Sequence, residues 1–366
     1  MRRLNFEGPL NSLSIGNVCL NFLRELHKKG VDVNFFPVKE EVDLSAFNKI
    51  EDSLEDWIKE SKQKALKNLD RNVPTLKVWH IKGSEKGIGE NQFLYTFYEV
   101  SEPTEEEVNI VKCQKHVFFS SSESAEIFKK KGCDNVSFVP LGFDKDLNVF
   151  HDEFLGQDTI HFGLIGKFEK RKNTGRIINN WLKLFGNNSK YQLTCLVSNP
   201  FFSEEQMRKV ILMSVGNQQW NNINFLSRLQ TNEEVNHLMN SIDVDLSGLS
   251  NGEGWNLPAF NATALGKWSV VTNCSSHKDW ATKENCILVN TDGMQDCYDN
   301  FFFAKGGAFN QGQYYKINDE TLIEAIKKSE SYAKKENKEG LKLQSQFTYS
   351  KSVDMILNKI EETLNK

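Results

Sequence analysis

Strand-like and helix-like segments alternate along this chain in two successive series, and that alternation restricts the fold more than any other feature. Residues 4–6 read as a strand, followed by a loop from Glu7 to Gly16 that carries Gly8-Pro9. Cys19, Phe22, Leu23 and Leu26 then recur at the spacing of one helix face. Lys28 and Lys29 suit the negative end of that helix, and Gly30 stops it. Val31, Val33 and Phe35 alternate as a second strand. A strand, a glycine-bearing loop, a helix and a strand in quick succession form a βαβ unit, whose strands pair in parallel. The rest of the first half is less regular. It reads as a charged helix over 53–69, strands at 76–80 and 93–98, a glycine-punctuated loop over 82–89, a strand at 117–119, a helix capped from Ser120–Ser122, and a strand at 136–139.

The second series is cleaner. Strands are expected at 160–165, 193–197, 223–226, 244–246, 270–271 and 287–289. Ile177, Ile178, Trp181, Leu182 and Phe185 have helical spacing, and further helices are expected over 204–214 and 257–265. Thr231 and Glu234 form a capping box that opens another helix. A last helix, with Val353, Ile356, Leu357, Ile360 and Leu364 on one face, ends the pattern. The expected fold is α/β, with two Rossmann-like doubly wound domains. The 366 residues suit two domains at about 150 residues each. A polar stretch from Lys145 to Asp158 sets the boundary, giving domains over 1–150 and 151–345 and a terminal helix over 346–366. Doubly wound sheets bind ligands at the carboxyl ends of their strands, here in the cleft between two such domains.

Composition narrows the function. Forty-five Lys+Arg against 49 Asp+Glu leave a net charge of −4, which argues against holding nucleic acid by bulk electrostatics but leaves room for a local basic groove. The seven cysteines are scattered singly, with no C-x-x-C, so neither a disulfide framework nor a structural zinc site is expected. No apolar run approaches the roughly 18–20 residues of a membrane span. A soluble, cytoplasmic protein is expected.

Two loops concentrate the chemistry. Gly166 to Asn173 lies between a strand and a helix, and Lys167, Lys170, Arg171 and Lys172 add cations to the positive helix end, a combination suited to a diphosphate. The same charges also fit a solvated loop. Ser250 to Pro258 bends at Gly252 and Gly254, places the Glu253 carboxylate beside free N–H groups, and enters a helix at Pro258. Such a carboxylate can accept from sugar hydroxyls, though an ordinary turn with an exposed Glu would read alike. Asp243-Val244-Asp245 has the form of a metal-binding D-x-D, but strand carboxylates without further ligands are weak evidence, and no metal is expected.

These residues resemble the retaining GT-B nucleotide-sugar glycosyltransferases that carry an E-x7-E motif. The family's E-G-F-G-L-P-x-x-E, followed by A-x-A-x-G, reads here Glu253-Gly254-Trp255-Asn256-Leu257-Pro258-Ala259-Phe260-Asn261, then Ala262-Thr263-Ala264-Leu265-Gly266. Three further stretches are similar to family segments in the same order: Glu7-Gly8-Pro9 to Gly16-Asn17, Tyr98 to Pro103, and Val139-Pro140-Leu141-Gly142-Phe143-Asp144. The resemblance implies a final helix that crosses back to the N-terminal domain.

The resemblance also implies roles. Lys167 stands at the family's usual Arg and Lys172 at its Lys, both on the donor diphosphate, and Glu253 would hold the hydroxyls of the transferred sugar. Gly16 and Gly166 would approach the donor, as would the backbone of Gly254, Trp255, Asn256 and Leu257; the indoles of Trp255 and Trp280 are expected to pack. Arg228 and Leu229 would meet the base. His80 matches an active-site His near the acceptor, with Glu99 lining the same side, although structural roles suit both equally. The second glutamate of the motif is Asn261 here, an uncharged partner for the ribose. Asn256 replaces a glycine at a position Asn tolerates because it enters left-handed conformations readily.

The activity so implied is metal-independent transfer, with retention, from a nucleotide-sugar (UDP-glucose or another UDP-sugar), which is a co-substrate rather than a cofactor. The acceptor expected is 5-hydroxymethylcytosine in bacteriophage DNA, with a glycan or surface polysaccharide as the alternative. The compact Lys-, Asn- and Phe-rich style resembles phage-encoded members of the fold, which would act in the host cytoplasm. Lys77, Lys82, Lys86 and Lys112 could supply a DNA-facing surface. A noncatalytic nucleotide-sugar-binding protein is the alternative of another class.

Overall fold

The computed structural model describes residues 3–47, 50–150, 155–156, 158–299 and 301–365. The chain divides into two compact units. Unit 1 comprises Met1–Asp146, Asn300–Gly312 and Ser345–Lys366; unit 2 comprises Leu147–Asp299 and Gln313–Gln344.

Unit 1 runs β1 (Arg3–Leu10), α1 (Ser14–Lys28), β2 (Asp32–Val42), α2 (Asp52–Ala65), β3 (Thr75–Val78), β4 (Gln92–Thr96), α3 (Glu105–Cys113), β5 (His116–Phe119), α4 (Ser122–Lys130) and β6 (Val136–Phe138). The six strands form one parallel sheet in the order β2-β1-β3-β4-β5-β6. The expected face of α1 is buried: Cys19, Phe22, Leu23 and Leu26 all lie in the core. β1 runs four residues past the expected strand, to Leu10, and α1 opens at Ser14. Gly16 therefore lies in the first turn of a helix and not in a loop.

Unit 2 continues with β7 (Ile160–Ile165), α5 (Thr174–Phe185), β8 (Tyr191–Leu196), α6 (Glu204–Val215), β9 (Ile223–Phe225), α7 (Asn232–Ser241), β10 (Val244–Asp245), α8 (Leu257–Ala264), β11 (Trp268–Thr272) and β12 (Cys286–Val289). These strands make a second parallel sheet, ordered β12-β11-β10-β7-β8-β9. In its core Phe185 stacks on Phe162 and Tyr191, and Trp181 meets Phe162 edge to face. The capping box of α7 is formed, with Glu234 N donating to Thr231 Oγ1 at 3.2 Å and Thr231 N to Glu234 Oε2 at 3.0 Å. The periodicity gave no sign of the antiparallel pair β13 (Met294–Asp296) and β14 (Gln313–Tyr315), nor of α9 (Asp319–Ser329) and the short α10 (Lys338–Leu341) and α11 (Leu343–Gln346).

The last helix, α12 (Tyr349–Leu364), belongs to unit 1 and packs on α1. Phe22 and Tyr349 meet edge to face at 5.8 Å, Ser352 Oγ donates to Pro140 O at 2.6 Å, and Lys29 pairs with Asp354 at 2.7 Å. Val353, Ile356, Leu357 and Ile360 are buried, but Leu364 is 40% exposed, because the helix outruns the surface it packs on.

The expected boundary at 150/151 abuts residues 151–154, which lie outside the described residues. By contacts the chain passes from unit 1 to unit 2 at 146/147. Residues 300–312, placed in the second domain by sequence, group with unit 1. The cause is polar: Asn310 N donates to the buried Glu107 carboxylate at 2.8 Å, Thr104 Oγ1 donates to Ala308 O at 2.8 Å, and Glu102 bridges Gln311. Backbone contacts of this kind leave no hydrophobic period to read.

Candidate functional site

β7 and β10 are neighbours in the second sheet, registered Phe162 to Val244 and Gly163 to Asp245, so the loops after them leave the same edge. Gly166 opens the first loop at φ +147°, a conformation side-chain-bearing residues rarely adopt. The two loops are laced by backbone and amide bonds. Asn251 N donates to Arg171 O at 2.9 Å, and Asn173 Nδ2 donates to Leu249 O at 3.0 Å and Asn251 Oδ1 at 2.7 Å. Because its side chain is engaged there, Asn173 precedes α5 without capping it, and the first turn of α5 carries no acidic side chain. The positive end of α5 thus keeps its affinity for an anion.

Five side chains then form a line of alternating charge. Lys167 Nζ lies 2.9 Å from Glu169 Oε1; Arg171 reaches Glu169 Oε2 at 3.0 Å and Glu253 Oε2 at 3.1 Å; Lys172 Nζ lies 2.6 Å from Glu253 Oε1. Arg171 also donates to Gly252 O. The centre of the line is sealed, with the side chains of Glu169, Arg171 and Glu253 exposed by 4%, 7% and 6%, while Lys172 at 15% and Lys167 at 38% face outward. Burial opposes the charge on Glu253, but Arg171 and Lys172 overcome it and hold its carboxyl at about 2. Glu169 is lowered in the same way, against burial, by Arg171, Lys167 and Lys172. Three cations and two ionised carboxylates give the line one net positive charge at neutral pH. Lys172 and Glu253 are brought into contact, and Lys167 is joined to them through Glu169 and Arg171. Sequence reading grouped Arg171 with the cations suited to a diphosphate and passed over Glu169. No signal in the sequence pairs positions 171 and 253.

The second loop is set by Asn256, left-handed at φ +68°. Its side chain caps α8 by accepting from Ala259 N and donates to Ser247 O at 3.0 Å. Asn256 Nδ2 also lies 3.0 Å from Nε2 of His277, a fully buried residue in the 3-10 turn Ser275–Asp279. Burial lowers the His277 pKa to about 4, so its ring is neutral at pH 7. The neutral tautomer that satisfies both neighbours accepts at Nε2 from Asn256 and donates from Nδ1 to Thr272 O, 2.9 Å away. Glu253 N donates to Ser275 Oγ at 2.9 Å, which fixes the backbone beside the carboxylate. Sequence reasoning missed His277, Thr272 and Ser275, which lie in another segment of the chain and carry no spacing signal.

Trp255 and Trp280 are both buried against Phe260, and the Trp280 indole donates to Trp255 O at 3.2 Å. Gly254 is buried and Leu257 half-buried in the same stretch. Asn261, on α8, has a buried Oδ1 with no hydrogen-bond partner among the described residues. A buried unmet acceptor costs about 1–3 kcal/mol, which a donating ligand would recover. Arg228 is exposed and Leu229 half-buried between β9 and α7. The two D-x-D carboxylates have separate partners: Asp243 pairs with Lys334 at 2.9 Å, and Asp245, fully buried in β10, accepts from Ser247 N at 3.1 Å.

In unit 1, His80 and Glu99 follow the adjacent strands β3 and β4, His80 exposed and Glu99 half-buried. His80 O accepts from Ser84 Oγ at 2.7 Å. Gly16 is buried where a Cβ would lie 2.1 Å from Asn11 O, so the turn into α1 has no room for a side chain there. Lys77 corrects one expectation. Its ammonium is buried against Glu7 at 2.9 Å and donates to Gly83 O and Lys86 O, so it presents no charge to a nucleic acid.

No family model matches the sequence, and no curated protein matches it. Solved structures do match. The sucrose-phosphate synthase of Thermosynechococcus elongatus aligns with TM-score 0.70 at 12% identity, covering 100% of both chains. Anabaena HepE in complex with UDP aligns with TM-score 0.65 at 12% identity, covering 99% of this chain and 100% of that one. The α,α-trehalose-6-phosphate synthase of Burkholderia multivorans aligns with TM-score 0.66 at 10% identity, covering 100% of this chain and 99% of that one. With its two six-stranded parallel sheets, the chain has the GT-B fold of these enzymes.

Proposed function

We propose that this protein is a glycosyltransferase that takes its sugar from a nucleoside-diphosphate sugar, a UDP-sugar in particular, at the carboxyl ends of β7 and β10. The observation that carries the reading is the line from Lys167 to Lys172 through two buried carboxylates, placed at an uncapped helix start. Lys167 and Lys172 would turn from their carboxylates to the diphosphate and stabilise the charge that develops as it leaves. Glu253 Oε1, released by Lys172, would then accept from a hydroxyl of the sugar. The orphaned Asn261 Oδ1 would accept from the ribose, and Arg228 and Leu229 would lie toward the base. HepE, a fold relative, has been solved with UDP and with UDP-glucose, which supports the choice of nucleotide.

In this reading the acceptor hydroxyl attacks from the face the diphosphate leaves, and its proton passes to the departing phosphate oxygen. The configuration at the sugar carbon is retained without a covalent enzyme intermediate, and no step calls for a metal. His80 and Glu99 are the acceptor-side candidates. Between the two acceptor classes, the inward turn of Lys77 favours a saccharide over hydroxymethylated DNA, since it removes one of the four proposed phosphate contacts. The test is incubation with labelled UDP-sugars against saccharide and hydroxymethylcytosine-DNA acceptors, alongside Glu253→Ala and Lys172→Ala. Label should enter saccharide, and both variants should abolish its transfer. Tight UDP binding with neither transfer nor donor hydrolysis would make the protein a noncatalytic binder.

A further inference from the structure

We infer that Arg171 is a positioning residue of the donor site: it is the fixed counter-charge shared by Glu169 and Glu253, and it permits Lys167 and Lys172 to leave those carboxylates for an incoming diphosphate. The inference rests on the proposed role of the two lysines. Among the described residues, each carboxylate makes an ion pair with one accessible and one sealed cation. Glu169 has Lys167 and Arg171; Glu253 has Lys172 and Arg171. A buried carboxylate stripped of every cation is strongly destabilised. A lysine could therefore move to a phosphate only if another cation stayed behind, and Arg171 is held in place to do so. Its guanidinium spans both carboxylates and donates to Gly252 O, and its own carbonyl accepts from Asn251 N. A planar fork can serve two carboxylates in fixed geometry, which a single ammonium cannot.

Among the described residues, the charged and titratable groups that act on the two carboxylates are Lys167, Arg171 and Lys172 from the first loop and His277 from the 3-10 turn. Tyr314, on β14, lies within electrostatic reach of Arg171. His277 is neutral at pH 7, so Arg171 and Lys172 hold Glu253 ionised against its burial. With Arg171 removed, each carboxylate would grip its remaining lysine, and protonating the carboxylate would set that lysine free.

The experiment measures UDP binding by calorimetry for the wild type, Arg171→Gln and Arg171→Gln/Glu169→Gln, at about pH 8 and about pH 5.5, which span the range a carboxylate released from its cation could titrate into. Arg171→Gln should weaken UDP binding about tenfold or more at the higher pH. That deficit should narrow at the lower pH, and the double variant should recover part of the loss, because Glu169→Gln frees Lys167 while Lys172 stays on Glu253. A residue that merely supported the loop would show neither the pH dependence nor the rescue. Arg171→Lys carries the same comparison if Arg171→Gln does not fold: it should weaken binding and be rescued by Glu169→Gln. Wild-type affinity in the single variants at both pH values, or a double variant no better than the single, would overturn the inference. If the wild type itself binds no UDP, the donor reading falls. Amine labelling of Lys167 and Lys172 in the ligand-free protein then decides the role of Arg171. Labelling of both lysines should drop in Arg171→Gln and return at Lys167 in the double variant, and equal labelling in all three would refute it.

Discussion

Lys172 and Glu253 touch, and each has a separable consequence. Replacing Lys172 by Met removes a cation from the proposed leaving group. Turnover of a UDP-sugar should fall roughly 10²–10³-fold, as when one preorganised donor to a developing charge is lost, and initial-rate kinetics would register it. Glu253→Gln acts on stability as well, because it leaves the sealed Arg171 and its neighbour Lys172 against a neutral amide. Breaking a buried pair from one side costs about 3–5 kcal/mol, which urea denaturation would measure; a loss under about 1 kcal/mol would mean that water reaches the cluster. The family resemblance singles out Lys167, Lys172 and Glu253, and the structure gathers them into one charged line. The pairing of Arg171 with Glu169 and Glu253 is not legible, because a charged residue in a Lys-rich loop looks the same in sequence whether it faces water or another loop. Lys77 shows the converse: together with Lys82, Lys86 and Lys112 it suggests a basic surface, while β1 supplies the half-buried Glu7 that captures it.

Among the elements, α8 depends most on one residue. Asn256 meets a backbone requirement with its left-handed φ and a capping requirement with its side chain. Asn256→Ala should cost about 2 kcal/mol, about 1 for the cap and about 1 or more for the strained backbone. Asn256→Gly relieves the strain and should cost visibly less. Equal losses in thermal unfolding would show that the side-chain bonds to Ser247 and His277 dominate. Elements with strong periodicity or a cap were readable: the buried face of α1, the Thr231 box on α7, and the Ser121 cap on α4, whose side chain accepts from Ser124 N. The pair β13 and β14 was not, because three-residue strands with alternating exposure carry too little pattern. β1 was cut short because Gly8-Pro9 reads as a turn, whereas the strand absorbs it as an irregularity in its pairing with β2.

Across the whole molecule, buried ionisable groups oppose one another in pH. Burial lowers His116 and His277 to about 4, so the folded chain refuses protons that the unfolded chain takes up below about pH 6.5. These two groups lose stability as the pH falls from there toward 4. Burial raises Asp144, beside Asp146, and Asp245 to about 6, so the folded chain keeps protons that the unfolded chain releases above about pH 4. These two lose stability as the pH rises from 4 toward 6. The four contributions nearly cancel between about pH 4 and 6. Asp245→Asn, which imitates the protonated acid, removes one of them. Its unfolding free energy should then rise with pH more steeply than that of the wild type, by about 1.4 kcal/mol per pH unit in that window. Parallel curves from urea titrations would refute the assignment.

Unit 1 is assembled from three separate stretches of chain, and this has a consequence for how the protein is made and dissected. A fragment cut at residue 146 would lack α12 and leave the Phe22 ring without Tyr349 against it, so it should misbehave as an isolated domain even though its sheet is complete. During synthesis the first sheet emerges early, but its covering helix follows only after unit 2 has been translated. The nascent amino-terminal half must therefore wait, with an apolar face bare, until residues 345–366 have left the ribosome.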